Sequence, residues 1–220
     1  MIRITRNSHW LLLMLLLLGT TRWSVVAAEE PVILVMGDSL SAAYRMPERD
    51  GWVALLADQI RDQDQPWQVV NASVSGETTA GGVARLPALL DTHDPAIVIL
   101  QLGGNDGLRG LPVPNIRENL ETMVQLSQEA GSRVLLAGIQ IPPNYGPRYT
   151  EPFYAQYREI ADLHEVHLLP FLLEGIAEDR SLMQADGIHP TAEAQPLILE
   201  QVWPVLEPML EEHSDTRLRQ

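Results

Sequence analysis

Val32-Ile33-Leu34-Val35-Met36-Gly37-Asp38-Ser39-Leu40-Ser41 decides the reading of this chain, because five apolar residues run without alternation into a Gly-Asp-Ser turn. An unbroken apolar run of this length suits a strand covered on both faces, as in a parallel sheet between helices. Such sheets bind ligands at the carboxyl ends of their strands. Gly37 permits a sharp turn there, and the reading places Ser39 at the opening of a helix just past the strand, in a position to act as a nucleophile. Taken alone, Gly-Asp-Ser is equally good turn and N-cap chemistry.

Outward from this stretch, helical and strand patterns alternate. Gly51–Asp64 carries apolar residues at 52, 53, 55, 56 and 60, a helical stripe. Trp67–Ala72 reads as a second strand, Ser73–Thr79 as the loop leaving it, and Thr78 as the cap of a helix running to about Leu90. Ala96–Leu102 is a third strand ending at Gly103-Gly104-Asn105-Asp106, with Gly107–Pro114 read as a loop. Asn115–Ala130 has helical spacing and Gly131 stops it. A fourth strand over Arg133–Ile139 leads into Ile141–Pro152, read as irregular for its Pro, Gly and Tyr content. Phe153–His164 is helical, Val166–Phe171 a fifth strand, and Asp186–Pro190 a loop. Thr191–Glu212 closes as a helix whose ends are blurred by Pro196, Pro204 and Pro208. This alternation predicts an α/β fold: three layers, doubly wound around a five-stranded parallel sheet of flavodoxin-like order 2-1-3-4-5.

The first residues are set aside before any fold reasoning. Met1–His9 carries Arg3 and Arg6 without an acid, Trp10–Leu18 is apolar, and Val25–Ala28 offers small residues. These are the three regions of a secretory signal peptide over residues 1–28, cleaved after Ala27 or Ala28. Nine apolar residues fall short of the roughly 20 that cross a bilayer. The remaining 29–220 reads as one domain, periplasmic or secreted. It keeps 12 of the 15 arginines and all 29 acids, a formal charge of −17. That charge repels nucleic acid and anionic membranes, and a monomer without stable membrane insertion is expected. The chain has no lysine and no cysteine, which excludes disulfides, thiolate metal sites and a cysteine nucleophile.

Four polar features stand in loops at the carboxyl side of the sheet: Ser39, Gly76, Asn105 and the pair Asp186 and His189. Acyl transfer to serine needs a base, a group that orients it, and donors for the developing oxyanion. His189 serves as the base and Asp186, three residues earlier in the same turn, as the orienting acid. The oxyanion donors are the backbone N–H of Ser39, the backbone N–H of Gly76 and the side-chain amide of Asn105. Each feature alone has a plain structural reading as turn chemistry, and it is their conjunction in one order that argues for catalysis. Asp186 and His189 make too thin a ligand set for a metal. His164 and His167 flank a strand and read as surface or cap residues. The loops over 107–114 and 141–152 supply Leu108, Leu111, Pro112, Val113, Ile141, Pro142, Pro143 and Tyr145 as candidate lining of an apolar substrate groove. Arg109 is a candidate contact for a phosphate or coenzyme A.

The ordered set Gly37-Asp38-Ser39-Leu40, Gly76 within Ser75–Thr79, Gly103-Gly104-Asn105-Asp106 and Asp186-Gly187-Ile188-His189-Pro190 resembles the SGNH (GDSL) hydrolase family over Val32 to about Leu210. Asn105–Gly110 and Pro143–Gly146 are especially similar to the family's bacterial periplasmic multifunctional acyl hydrolases. The resemblance implies a Ser39-His189-Asp186 esterase without metal or cofactor. It implies activity on carboxylic esters, acyl thioesters and lysophospholipids, with arylesterase, thioesterase and lysophospholipase activity. Two alternatives stay open at this point: a carbohydrate O-acetyl esterase, and a non-catalytic acyl or lipid binding module.

Overall fold

In the computed structural model the described residues are 30–218; the leader expected over residues 1–28 lies outside them. Five strands, β1 (Val32–Gly37), β2 (Gln68–Asn71), β3 (Ile97–Gln101), β4 (Arg133–Ala137) and β5 (His167–Leu169), pair in parallel in the order 2-1-3-4-5. The unalternating runs account for the middle of this order. Ile33–Met36 of β1 and Ile97–Leu100 of β3 have no solvent exposure at all, so side chains pointing to either face of the sheet are buried. Removing each such side chain from water contributes about 1.5–3 kcal/mol. The strands at the two margins, β2 and β5, are only partly buried.

The described residues form six α-helices around the sheet: α1 (Trp52–Asp62), α2 (Thr79–His93), α3 (Gly104–Leu108), α4 (Val113–Glu129), α5 (Pro147–His164) and α6 (Gln195–Leu218). From β1 the chain steps to β2 in one direction and then returns past β1 to β3, β4 and β5 in the other. Right-handed crossovers therefore put α1 on one face and α2, α4 and α5 on the other. The packing agrees, since α1 lies against α6 while α2 lies on α4 and α4 on α5. The reversal occurs between β1 and β3, and the gap at their carboxyl ends is the natural binding crevice of such a sheet. Ser39 follows β1 and Asn105 follows β3.

The structure departs from the sequence reading in four places, each with a local cause. Ser39 opens no α-helix: Ala43 (φ 52°) and Arg45 (φ 56°) adopt left-handed backbone, which interrupts helical continuation after the bond from Ala42 N–H to the Asp38 carbonyl, 3.0 Å. The segment read as loop after β3 begins as the short helix α3. Helix α5 starts at Pro147, ahead of Phe153, because proline is well suited to the first helical position; Pro152 then lies inside it. Helix α6 starts at Gln195, behind a 3-10 turn at Ala192–Ala194, and not at Thr191; it runs through Pro204 and Pro208 as read. There the buried residues Val202, Leu206, Met209 and Leu210 recur at helical spacing, and their packing outweighs the lost backbone bonds. Thr78 caps α2 by accepting the Gly81 N–H, 3.2 Å, and Gly131 ends α4 at φ +85°.

Candidate active site

The turn that carries Ser39, the candidate nucleophile, is built around a buried polar cluster. Gly37 is required by close approach, since a Cβ there would stand 2.7 Å from Gln101 Oε1 and 2.8 Å from Ser41 Oγ. Asp38 Oδ1 accepts the Leu40 N–H (3.0 Å) and Gln101 Nε2 (3.0 Å), while Gln101 Oε1 accepts the Ser41 hydroxyl (2.6 Å). Asn71 Nδ2 holds the Ser41 carbonyl at 2.9 Å from the neighbouring strand end. Burial is the largest influence on the Asp38 carboxyl and outweighs the Leu40 and Gln101 bonds, pushing it up to about 6. Ser39 is thus held on a turn tied to two strands.

The histidine loop meets this turn across 150 residues of chain. His189 Nε2 lies 2.9 Å from Ser39 Oγ, and His189 Nδ1 lies 2.9 Å from Asp186 Oδ2. Asp186 Oδ1 accepts the backbone N–H groups of Ile188 and His189, both at 3.0 Å, in a turn that Gly187 enters at φ +69°. Desolvation pushes the Asp186 carboxyl up, but the two N–H groups and the His189 ring together outweigh it and bring it down to about 2. An ionised carboxylate can only accept, so Nδ1 carries the proton and Nε2 is left to receive that of Ser39. Sequence reasoning missed the two residues that hold this loop. Gln184 donates its N–H to the His189 carbonyl (2.7 Å) and its Nε2 to the carbonyls of Tyr44 (3.0 Å) and Pro190 (3.0 Å). The Tyr44 ring packs on the imidazole with centroids 4.1 Å apart at 32°.

Gly76 and Asn105 stand in the segments that follow β2 and β3, and Asn105 reaches the residue next to Ser39. Gly76 has φ +82°, and the space a Cβ would take there is open, so a substrate can approach the backbone closely. Asn105, in the first turn of α3, donates its amide to the Glu77 carbonyl at 2.9 Å and to Asp38 Oδ2 at 3.3 Å. The next residue, Asp106, is buried and accepts both the N–H and the hydroxyl of Thr79, which locks α3 to the start of α2. Asp38 and Gln101 also escaped the sequence reading. Their neighbours Gly37 and Leu102 carried the strand signals, but nothing local announces a hydrogen-bond network between residues 63 apart.

The candidate groove residues divide. Leu111 and Tyr145 are 38% exposed, Pro142 and Arg109 are exposed and Leu108 is half-buried, whereas Ile141 belongs to the hydrophobic core. Tyr145 donates its hydroxyl to the Leu108 carbonyl (2.7 Å) and Tyr149 to that of Leu111 (2.6 Å), tying the two loops together. Arg109 Nη2 donates to the Gly76 carbonyl at 3.3 Å. Among the described residues no group of three or more His, Asp or Glu is placed to hold a metal ion.

Comparison with known proteins agrees with this geometry. The GDSL-like Lipase/Acylhydrolase family model matches residues 35–196. Esterase TesA of Pseudomonas aeruginosa is 51% identical over 83% of this chain and 91% of its own length. Thioesterase 1/protease 1/lysophospholipase L1 of Escherichia coli is 44% identical over 86% and 89%. The crystal structure of the psychrotrophic esterase EstA from Pseudoalteromonas sp., inhibited by monoethylphosphonate, superposes with a TM-score of 0.79 at 42% identity. It covers 82% of this chain and 98% of that one. A family match over most of the chain, and relatives of around half identity along nearly their full length, place it: this chain belongs to the GDSL-like Lipase/Acylhydrolase family of SGNH esterases.

Proposed function

We propose that this protein is an exported serine esterase that hydrolyses carboxylic esters and acyl thioesters, lysophospholipids among them, through an acyl-enzyme on Ser39. The observation that carries the reading is the relay Ser39–His189–Asp186, with both contacts at 2.9 Å. Ser39 Oγ attacks the acyl carbon as its proton passes to His189 Nε2. The resulting oxyanion lies against the N–H groups of Ser39 and Gly76 and the amide of Asn105. Asn105 keeps its shorter bond to Glu77 and turns the N–H of the longer one, toward Asp38, to the oxyanion. His189 then gives its proton to the departing oxygen or sulfur. In the second half it activates water to release the acid, and Asp186 supports the imidazolium in both halves.

The sequence of residues 1–28 supports export to the periplasm or beyond by signal-peptide cleavage. Among the described residues no helix is long and apolar enough to cross a membrane. We take the mature chain as a monomer acting on small acyl substrates. Leu111 and Tyr145, exposed apolar residues of the segments after α3 and β4, support substrates with an apolar acyl chain.

A fluorophosphonate probe on the mature protein tests the reading. One adduct at Ser39, absent in His189→Ala, together with hydrolysis of octanoyl esters and thioesters faster than acetyl ones, is the expected result. A folded, unlabelled protein would overturn the catalytic reading, and a preference for acetylated sugars would replace the substrate class.

A further inference from the structure

We propose that Arg45 binds the phosphate of a substrate's leaving group, so that phosphoglycerol esters are preferred over neutral ones. The inference rests on the esterase reading and assigns a residue that the catalytic relay does not use. Acids outnumber arginines 29 to 15 in this chain, yet Arg45, exposed and six residues beyond Ser39, makes no ion pair among the described residues. Its guanidinium lies over the Tyr44 ring, 5.0 Å from the centroid. That ring in turn packs 4.1 Å from the imidazole of His189. The two separations bound the guanidinium within about 9 Å of the catalytic imidazole.

The direction follows from the chemistry. His189 delivers its proton to the leaving atom, so the leaving group departs along the His189 side, where Tyr44 and Arg45 stand. Gly76 and Asn105 belong to the segments after β2 and β3 and make no hydrogen bond to His189, Tyr44 or Arg45 among the described residues. In an acyl glycerophosphate, five bonds separate the leaving oxygen from phosphorus, a span of roughly 6 Å at ordinary bond lengths. A phosphate held there meets Arg45 without displacing the relay, and a guanidinium presents it a planar fork of donors.

The backbone beneath Arg45 is built to hold it. Arg45 adopts φ 56° and Ala43 φ 52°, two of the five non-glycine residues with positive φ among the described residues, within one turn. Such conformations persist only where surrounding contacts determine them. Those contacts are present on both sides, since the Tyr44 carbonyl accepts Gln184 Nε2 (3.0 Å) and the Met46 N–H donates to the Ala43 carbonyl (3.1 Å). The backbone that carries Arg45 is therefore fixed before any ligand arrives, and the Tyr44 ring is the surface on which its guanidinium rests.

The experiment compares kcat/KM for 1-octanoyl-glycerophosphoglycerol and 1-octanoylglycerol, below their aggregation concentrations, in wild type, Arg45→Gln, Arg45→Lys and Arg109→Gln. The inference expects the ratio of the two to fall about tenfold in Arg45→Gln, with part of it restored in Arg45→Lys, and the loss to shrink at 1 M salt. An unchanged ratio in Arg45→Gln, or a fall confined to Arg109→Gln, overturns it. Failure of the wild type to hydrolyse either substrate would instead overturn the esterase reading. Matching thermal unfolding of the variants confirms that the comparison reports binding.

Discussion

Asn105 donates its side-chain amide to the buried carboxylate of Asp38, 3.3 Å away and 67 residues earlier in the chain. This bond joins the first residue after β1 to the first turn of α3, which follows β3, across the switch point of the sheet. It fixes which end of the Asn105 amide faces Asp38, because a carboxylate accepts and cannot donate. Asp38 therefore orients, in the resting site, the Asn105 amide that serves as an oxyanion donor in the proposed mechanism.

Replacing Asp38 by Asn tests that role. An amide at 38 can turn an NH2 toward Asn105 Nδ2, two donors facing one another, and kcat is expected to fall at least tenfold with little change in KM. Stability should move the other way. The folded carboxyl sits near 6, above its unfolded value of 3.8, so its favourable contribution is complete below about pH 4. It is lost as pH rises through about 6. Asp38→Asn is thus expected to gain in Tm relative to wild type at pH 7.5 compared with pH 4, and an identical Tm difference at both pH values would contradict the buried-charge account.

Asp186 has the opposite sign. Its carboxyl is held near 2 in the folded state, so the stability it contributes is present above its ordinary value of 3.8 and is lost as pH falls through about 2. Wild type should lose more stability between pH 4 and pH 2 than Asp186→Asn does. The same variant leaves the turn able to accept the Ile188 N–H but offers the imidazole a donor. The resulting change of tautomer is expected to lower kcat by about 10²-fold or more, measured on any activated ester.

Tyr44 acts on His189 through its ring. An aromatic contact of this kind contributes about 0.5–1.5 kcal/mol, so Tyr44→Ala should cost about three- to tenfold in kcat. Tyr44→Phe, which keeps the ring, should stay within about twofold. Equal losses in both variants would place the effect in the hydroxyl.

Asn105→Ala removes the side-chain donor and should lower kcat by about 10²-fold or more. Combined with Asp38→Asn, the losses should be far from additive, since Asp38 acts through Asn105. Additive losses would show that the two residues work separately.

The strand order and the positions of Ser39, Gly76, Asn105, Asp186 and His189 were legible in the sequence, because strand and helix periodicity and glycine turns are local properties. Unbroken runs such as Val32–Met36 dictate a two-sided core, and a parallel sheet leaves its loops at one edge. The short helix α3, the early start of α5 at Pro147 and the interrupted turn after Ser39 were not legible, since packing and φ at Ala43 and Arg45 override local propensity there. Nor was the support around the relay. Asp38 to Gln101 and Asn105, Gln184 to Tyr44, and the Tyr44 ring on His189 are contacts between residues 63 to 145 positions apart. Composition and spacing determined which groups could do the chemistry; only tertiary packing decided how they are oriented, because a hydrogen bond or ring contact over such separations exists once the sheet has brought its strand ends together.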